Sequence, residues 1–416
     1  MRPVGAHDPT ARIFPLNIEV GGTLLLTAFV MSVVLGFVTN KTNFCTMGAV
    51  SDWVNMGDTG RLRAWLGALA VAILGVTILE SMAIFDLNES RIPYRSSNFA
   101  WPRYLLGGLM FGVGMSLAGG CASKNLVRLG GGNLKSLIVV IVIGAFAYLM
   151  TRTDFYGIVF LTWMGPLTPD LTQIGAETQE MAVVAGALTG AEDLNSLRWI
   201  IGGLLVLALG AFAVSSVDFR RNADNWIAAV VVGGMVVGGW YLTGGPSGQE
   251  WIEAAEFADR PPEGVGVQSF TFVNPAADLL AWVMQGGDEA YLTFGIALLF
   301  GMIVGSAVYA VLSRTFRIEW FSSWSDFVRH IFGGALMGLG GVLALGCTVG
   351  QGVSGFSSMA LGSPLAMVAI MLSSALTIKT EYYKILYEDA STGAAFVSAL
   401  ADMRLVPQSM RKLEAL

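Results

Sequence analysis

Long apolar segments alternate with polar stretches along most of the chain, and they lack the every-second-residue alternation of half-buried strands. A helix needs about 20 residues to cross a hydrocarbon core of roughly 30 Å. We predict nine membrane-spanning helices at residues 18–38, 64–85, 104–118, 134–151, 198–217, 225–242, 291–312, 327–345 and 362–378. Shorter stretches at 155–163, 181–190 and 271–284 are interpreted as interfacial helices. The pattern predicts an all-α polytopic membrane protein.

Composition supports this class, because 54% of the 416 residues are hydrophobic and only 13% are charged. A transmembrane barrel would need short alternating segments, which are absent from the sequence. The net charge of −6 says little about a ligand, since 14 of the 30 carboxylates fall in the long loops 152–197 and 243–290. Three cysteines cannot form a disulfide framework, and no Cys or His cluster has metal-ligand spacing. No metal, cofactor or nucleic-acid partner is expected, and no cleavable signal is expected before the first apolar run.

One stretch of the chain occurs twice. RYLLGGLMFGVGMSLAGGC, residues 103–121, is repeated without a gap by RHIFGGALMGLGGVLALGC, residues 329–347, at a constant offset of 226. Nine of the nineteen positions are identical: Arg103/Arg329, Gly107/Gly333, Gly108/Gly334, Gly112/Gly338, Gly114/Gly340, Leu117/Leu343, Ala118/Ala344, Gly120/Gly346 and Cys121/Cys347. The two copies fall on the third and the eighth predicted spans, with four spans between them, so they run in opposite directions through the membrane. An inverted repeat is therefore predicted.

Each copy breaks its helical pattern at a Gly-Cys pair and continues into a polar, glycine-rich segment, 122–133 or 348–364. Such backbone is tolerated at membrane depth only where it is buried in protein or lines a wet cavity. We interpret both segments as re-entrant loops. The G-x-x-x-G spacing before each break is typical of close helix packing. Cys45 lies at a third break, and no clear partner for it is visible in the second half.

The predicted organisation is one transmembrane domain in four parts. A first repeat covers 18–151, an insertion with two spans and external loops covers 152–290, a second repeat covers 291–378, and a cytoplasmic tail covers 379–416. Sixteen of the 24 Lys and Arg residues fall on one side of the membrane when the N-terminus is placed outside. The positive-inside rule then predicts an external N-terminus and a cytoplasmic C-terminus.

Three chemistries are open to the cysteines. Metal ligation lacks a fourth ligand, and nucleophilic chemistry would need a cation or base such as Lys124 to favour the thiolate. Burial in an apolar setting keeps thiols neutral, and a neutral S–H can donate to an anion that a thiolate would repel. Helix N-termini at the breaks would present amides to the same anion. The expected ligand is a small sulfur-containing anion, or a selenium analogue.

Candidate ligand neighbours flank the cysteines. They are Gly120, Lys124, Asn125 and Arg128 around the first Gly-Cys break, and Gly346 and Gln351 around the second. Asn125 and Gln351 match under the offset of 226, and both are expected to donate to the ligand or to bind the loop to a neighbouring segment.

The motifs LAGGCASKN, LGCTVGQG and NFCTMGAVSD, together with the inverted repeat, resemble the YeeE/YedE family of bacterial inner-membrane proteins. The resemblance implies a multi-pass inner-membrane protein that takes up thiosulfate. It further implies that Cys45, Cys121 and Cys347 lie along one central path and pass the anion on through S–H hydrogen bonds. Members of this family often act with a small cytoplasmic sulfur-carrier protein. The two long loops depart from the expected pattern.

Three functions follow from these observations. The first is a thiosulfate transporter with no enzymatic activity. The second is a membrane sulfurtransferase in which a cysteine carries a persulfide, and the third is a scaffold with packing cysteines. A selenium-compound transporter of the same family is a variant of the first.

Overall fold

The computed structural model describes residues 13–258 and 260–414, with side chains from residue 21 onward, and its regular elements over these ranges are helices. The first nine α-helices are α1 (Ile13–Lys41), α2 (Thr46–Met56), α3 (Gly60–Ser81), α4 (Trp101–Leu117), α5 (Ala122–Gly130), α6 (Leu134–Arg152), α7 (Thr162–Met164), α8 (Met181–Thr189) and α9 (Leu194–Ser215). They are followed by α10 (Val217–Arg221), α11 (Ala223–Gly244), α12 (Pro246–Glu256), α13 (Asn274–Met284), α14 (Phe294–Leu312), α15 (Trp324–Leu343), α16 (Gly362–Leu386) and α17 (Thr392–Asp402). Short π- or 3₁₀-helical turns lie at Gly157–Leu161, Gly165–Leu167, Leu171–Ile174, Glu289–Tyr291, Gly350–Gly355 and Gln408–Met410.

The prediction of an all-α polytopic membrane protein is confirmed. Eight helical segments of the described chain are long and apolar enough to span a bilayer. The predicted span 327–345 falls on α15, which is not one of the eight. Its first turns are polar and its second half is rich in glycine, and both features lower its hydropathy. It nevertheless packs between α4 and α6.

The repeated helices α4 and α15 cross at bare backbone. A Cβ atom built on Gly107 would lie 2.7 Å from the Gly340 carbonyl oxygen. A Cβ atom built on Gly333 would lie 2.7 Å from the Gly114 carbonyl oxygen. Because real Cβ atoms do not approach backbone this closely, only glycine permits the crossing at these positions.

The G-x-x-x-G pairs face other helices, one for each copy. Gly108 lies against α16, where an added Cβ would be 2.7 Å from the Ala366 carbonyl oxygen. Gly338 lies against α6, where an added Cβ would be 2.8 Å from the Ile143 carbonyl oxygen. The expected role of these glycines in close helix packing is confirmed.

Helix packing across the molecule follows a two-fold pattern. α1 packs on α14 and α3 packs on α11, while α4 packs on α16 and α15 packs on α6. The first four of these helices correspond in order to four later ones: α1 to α11, α3 to α14, α4 to α15, and α6 to α16. When corresponding helices are interchanged, each contact becomes another contact of the same set. α2, which packs on α3 and α16, corresponds in the same way to α13, which packs on α14 and α6. The pattern favours a second repeat that begins at α11, ahead of the boundary at 291 that the sequence predicts.

The two segments after the Gly-Cys breaks are helical, so the interpretation of both as loops was wrong in conformation. Residues 122–130 form α5, and the π-helical turn Gly350–Gly355 follows the second break. Both are largely buried. Short helices satisfy their own backbone hydrogen bonds, which costs less in a buried setting than an irregular loop.

The prediction of an interfacial helix at 271–284 was wrong. Residues 267–273 are buried, and they lead into α13, whose first half is buried as well. A Cβ atom built on Gly144 of α6 would lie 2.6 Å from the Ala276 carbonyl oxygen. This segment enters the protein interior as an extended chain followed by a helix, as residues 42–56 do in the first half. The stretches 155–163 and 181–190 fall on short helical turns and on α8.

The loop between α6 and α9 covers the end of the second break. Glu180 forms an isolated antiparallel bridge with Ala360, and the Gln179 carbonyl accepts from the Leu361 amide at 3.0 Å. A buried cluster of four charges, formed by Glu80, Arg95, Glu180 and Arg198, lies beside this pairing. Arg95 Nε also donates to the Ser358 carbonyl at 2.8 Å. Because removing one partner of a buried ion pair costs about 3–5 kcal/mol, this cluster fixes the segment that follows Cys347.

The tail after the last long helix is folded against that helix. α17 packs on α16, and Asp402 accepts from Tyr383 Oη at 2.8 Å and pairs with Lys379 at 3.2 Å. The last two residues of the predicted tail, 415–416, lie outside the described residues. The side of the membrane on which this tail lies stays a prediction.

The close approach of α4 and α16 generates a stability prediction. Gly112→Ala is expected to destabilise the protein, because its Cβ would collide with Ser373 Oγ and with the Ile370 carbonyl of α16. Overpacking of this kind costs about 1–3 kcal/mol or more. Gly203→Ala is the matched control, since Gly203 lies within α9 with nothing within 4 Å of an added Cβ. Thermal unfolding in detergent should show a lowered Tm for the first variant only, and equal values would contradict the described packing.

Candidate functional site

All three cysteines occupy the same structural position, at the N-terminal end of a short helical segment. Cys45 is the N-cap of α2, Cys121 is the N-cap of α5, and Cys347 precedes the turn Gly350–Gly355. The carbonyl of each cysteine accepts a helical hydrogen bond from the amide four residues later, which belongs to Ala49, Asn125 or Gln351. Each thiol therefore lies where free amides and a positive helix end face it.

The glycine before each repeated cysteine makes the break possible. Gly120 has φ +157° and Gly346 has φ +154°, a conformation that residues with a Cβ rarely adopt. The residues ahead of them, Gly119 and Leu345, also have positive φ, at +70° and +60°. These angles turn the chain from the long helix into the short one, which explains the repeated Gly-Cys pair. Gly120 and Gly346 thus shape the break through their backbone.

Two of the sulfur atoms accept backbone hydrogen bonds. The Gly48 amide donates to Cys45 Sγ at 3.3 Å, and the Gly350 amide donates to Cys347 Sγ at 3.4 Å, in both cases from three residues later. Cys121 Sγ lies 3.2 Å from Ser123 Oγ, where either group can be the donor. Acceptance of an amide hydrogen by the sulfur of Cys45 or Cys347 leaves the S–H group itself as a donor.

The structure buries all three thiols and brings them into one neighbourhood. Cys45 is 7% exposed, Cys121 is 1% exposed and Cys347 is fully buried, and none is in a disulfide. Cys121 is near enough for electrostatic interaction with both Cys45 and Cys347. Each of the other two cysteines therefore lies near Cys121. That the three form a substrate path stays a prediction.

A basic cavity of about 580 Å³ opens at the Cys45 end of this series. Its charged lining residues are Lys41, Arg61, Lys124, Arg128, Arg317 and Glu319. Five cations against one carboxylate give the cavity a positive potential, which attracts small anions. We call it the basic vestibule.

Lys124 and Arg128 both line the vestibule, but they differ in their contacts. Lys124 Nζ donates to Asn43 Oδ1 at 3.3 Å, beside Cys45. Arg128 Nη1 donates to the Gly119 carbonyl at 2.7 Å. Arg128 therefore holds the end of α4 as well as adding charge to the vestibule.

Asn125 holds the break and has no donor left for a ligand. Its Nδ2 donates to the carbonyls of Gly120 at 2.8 Å and Cys121 at 3.1 Å. Its Oδ1 is buried without a hydrogen-bond partner in the described protein, as is Oε1 of Gln351. The Asn125 amide thus bonds within the break itself, which differs from both predicted roles, a ligand donor and a bond to a neighbouring segment.

Two functional candidates escaped the sequence analysis, namely Asp52 and Arg61. Arg61 pairs with Asp52 through Nε at 2.5 Å and Nη2 at 3.0 Å, which fixes the guanidinium. A Cβ atom at Gly48 would collide with Arg61 Nη1, so the guanidinium lies over the first turn of α2, close to Cys45. Eight residues separate the two partners along the chain, and only the turn between α2 and α3 brings them together. Among the described residues, no group of three His, Cys, Asp or Glu side chains is arranged to hold a metal.

The helix breaks, the buried thiols and the basic vestibule define a multi-pass membrane transporter for a small anion. A family model described as sulphur transport matches residues 41–376, and the chain belongs to that family. The thiosulfate transporter TsuA of Escherichia coli (strain K12) is 25% identical over 351 residues, which cover 80% of this chain and 87% of the relative. The thiosulfate transporter TsuA of Spirochaeta thermophila is 24% identical over 353 residues, which cover 84% and 96%.

The different access to the thiols generates a labelling prediction. In variants that retain one cysteine each, Cys45 should react fastest with a small maleimide, because it lines the vestibule. Cys121 and Cys347 should react slowly until the protein is unfolded, since they are 1% and 0% exposed. Intact-mass measurement over time gives the three rates. Labelling of Cys347 as fast as that of Cys45 would contradict the described burial.

Proposed function

We propose that this protein carries thiosulfate, or a closely related small sulfur-containing anion, across the bacterial inner membrane. Cys45, Cys121 and Cys347 pass the anion along a central path through S–H hydrogen bonds. The observation that carries the proposal is the series of three buried thiols, each at the start of a short helical segment. At its Cys45 end the series reaches the basic vestibule. The names of the two relatives support the choice of anion.

The physical basis is the cost of taking an anion out of water. Burial of an unpaired charge is expensive, and fixed dipoles that point at the charge offset that cost. Uncharged thiols and helix N-termini supply such dipoles without adding a strong fixed countercharge, which would trap the anion. Sulfur on the protein is also polarisable, as sulfur on the guest is. Thiosulfate has a terminal sulfur that suits these donors.

Orientation and partners complete the proposal. With the N-terminus outside, the basic vestibule opens to the cytoplasm and is the exit of the path. A cytoplasmic sulfur-carrier protein would receive the anion there. Lys124 and Arg61 flank Cys45 at this exit and draw the anion out of the low-dielectric interior.

A membrane sulfurtransferase is the second candidate, and one observation favours it. Lys124 Nζ bonds to Asn43 beside Cys45 and Arg61 lies over the first turn of α2, and cations close to a cysteine are a feature of nucleophilic sites. Intact mass after thiosulfate treatment separates the two functions, because a persulfide adds one sulfur atom to the protein. We expect no stable addition, in keeping with a transporter that is not an enzyme. Uptake of a selenium analogue tests the range of anions.

Removal of the central thiol is the main test of the proposed function. Cys121→Ala should reduce the initial rate of thiosulfate uptake at least about tenfold, since a hydrogen bond to a charged group contributes about 1.5–3 kcal/mol. Uptake is measured in cells that lack their own thiosulfate importer. Ser374→Ala is the control, because Ser374 is a buried hydroxyl that pairs with Ser116 at 2.9 Å between α4 and α16. Unchanged uptake by the Cys121→Ala variant would refute the path.

A further inference from the structure

The pattern of helix contacts identifies a residue in the second repeat that corresponds to Cys45, which the sequence alone did not. α2 corresponds to α13 in the two-fold packing pattern, and the offset of 226 that relates the Gly-Cys breaks also applies here. At that offset Cys45 corresponds to Thr271, and Asp52 corresponds to Asp278. The four break positions are thus three cysteines and one threonine.

Thr271 lies against the second break, as Cys45 lies against the first. A Cβ atom added to Gly350 would collide with Thr271 Oγ1, so this side chain contacts the residue whose amide donates to Cys347. Gly350 corresponds at the same offset to Lys124, which lies beside Cys45. The next residue, Phe272, turns its backbone amide toward the Cys347 sulfur.

The Thr271 hydroxyl has no protein partner although it is buried. The residue is 4% exposed, and its Oγ1 makes no hydrogen bond within the described part of the chain. Two neighbours of Cys347 share this property, namely Thr348 Oγ1 and Gln351 Oε1. Buried polar groups in folded proteins nearly always have partners. Buried polar atoms without partners on three residues close to Cys347 favour a polar guest in this region.

The charges beyond Thr271 also mirror those near Cys45. Asp52 pairs with Arg61 at the vestibule, and Asp278 pairs with Arg91 at 3.5 Å and Arg152 at 3.2 Å. Arginines are therefore fixed by the matching carboxylate at both ends of the series.

We propose that Thr271 is a fourth binding residue of the path, next to Cys347 and at the end opposite Cys45. This inference rests on the proposed function and adds a residue to it. The hydroxyl donates to an oxygen atom of the sulfur oxyanion, for which O–H is a better donor than S–H. The anion is held by its oxygens at Thr271 and then meets the thiols of Cys347, Cys121 and Cys45 in turn.

The test compares four variants in the uptake assay. Thr271→Val keeps the shape and removes the donor, and it should lower the initial rate about tenfold. Thr271→Ser should restore most of the rate, and Thr271→Cys should give an intermediate rate because a thiol is a weaker donor. Thr77→Val is the matched control, since Thr77 is 2% exposed with an unpartnered Oγ1 that faces Gly202 of α9. Its rate should equal that of the wild type.

The outcomes separate this inference from the function on which it rests. If the wild type takes up thiosulfate and Cys121→Ala does not, a Thr271→Val rate equal to that of the wild type overturns the inference alone. If Thr271→Ser and Thr271→Cys fold normally by size-exclusion chromatography but lose uptake as Thr271→Val does, the role is structural and the inference also fails. If the wild type shows no uptake, the proposed function and the inference fall together.

Discussion

Backbone at a helix break must keep its hydrogen bonds where no water can supply them, and the structure depends on how this is done. Each break is followed by a short helical segment, and at Cys45 and Cys347 an amide of that segment donates to the sulfur. Such a break is stable at membrane depth only where other helices cover it. The glycines of α4 and α15 bring those helices into backbone contact, so the packing and the site have one origin.

The two ends of the thiol series differ in their surroundings, although they are built from related elements. The Cys45 end opens into the basic vestibule. The Cys347 end is covered by the loop that carries Glu180, which is fixed by the buried charge cluster with Arg95. The long loop that departs from the family pattern thus has a structural task, since it binds the chain that follows the second break.

The sequence predicted the features that depend on one strong local signal. The repeated Gly-Cys pair placed the breaks, because a positive φ before the cysteine requires glycine at Gly120 and Gly346. It did not predict the relation of Cys45 to Thr271, since few identities survive around that pair and only the helix contacts display it. The role of Asn125 depends on which carbonyls its amide reaches, and spacing along the chain does not contain that information.

The central claim is that neutral thiols and helix ends of this one chain are enough to take a sulfur anion across a bilayer. Uptake of labelled thiosulfate into lipid vesicles that contain only this protein tests that claim most directly. Saturable entry without any partner protein is expected, and sodium or proton gradients imposed in turn would show whether entry is coupled. Entry no faster than into protein-free vesicles, under every gradient, would contradict it.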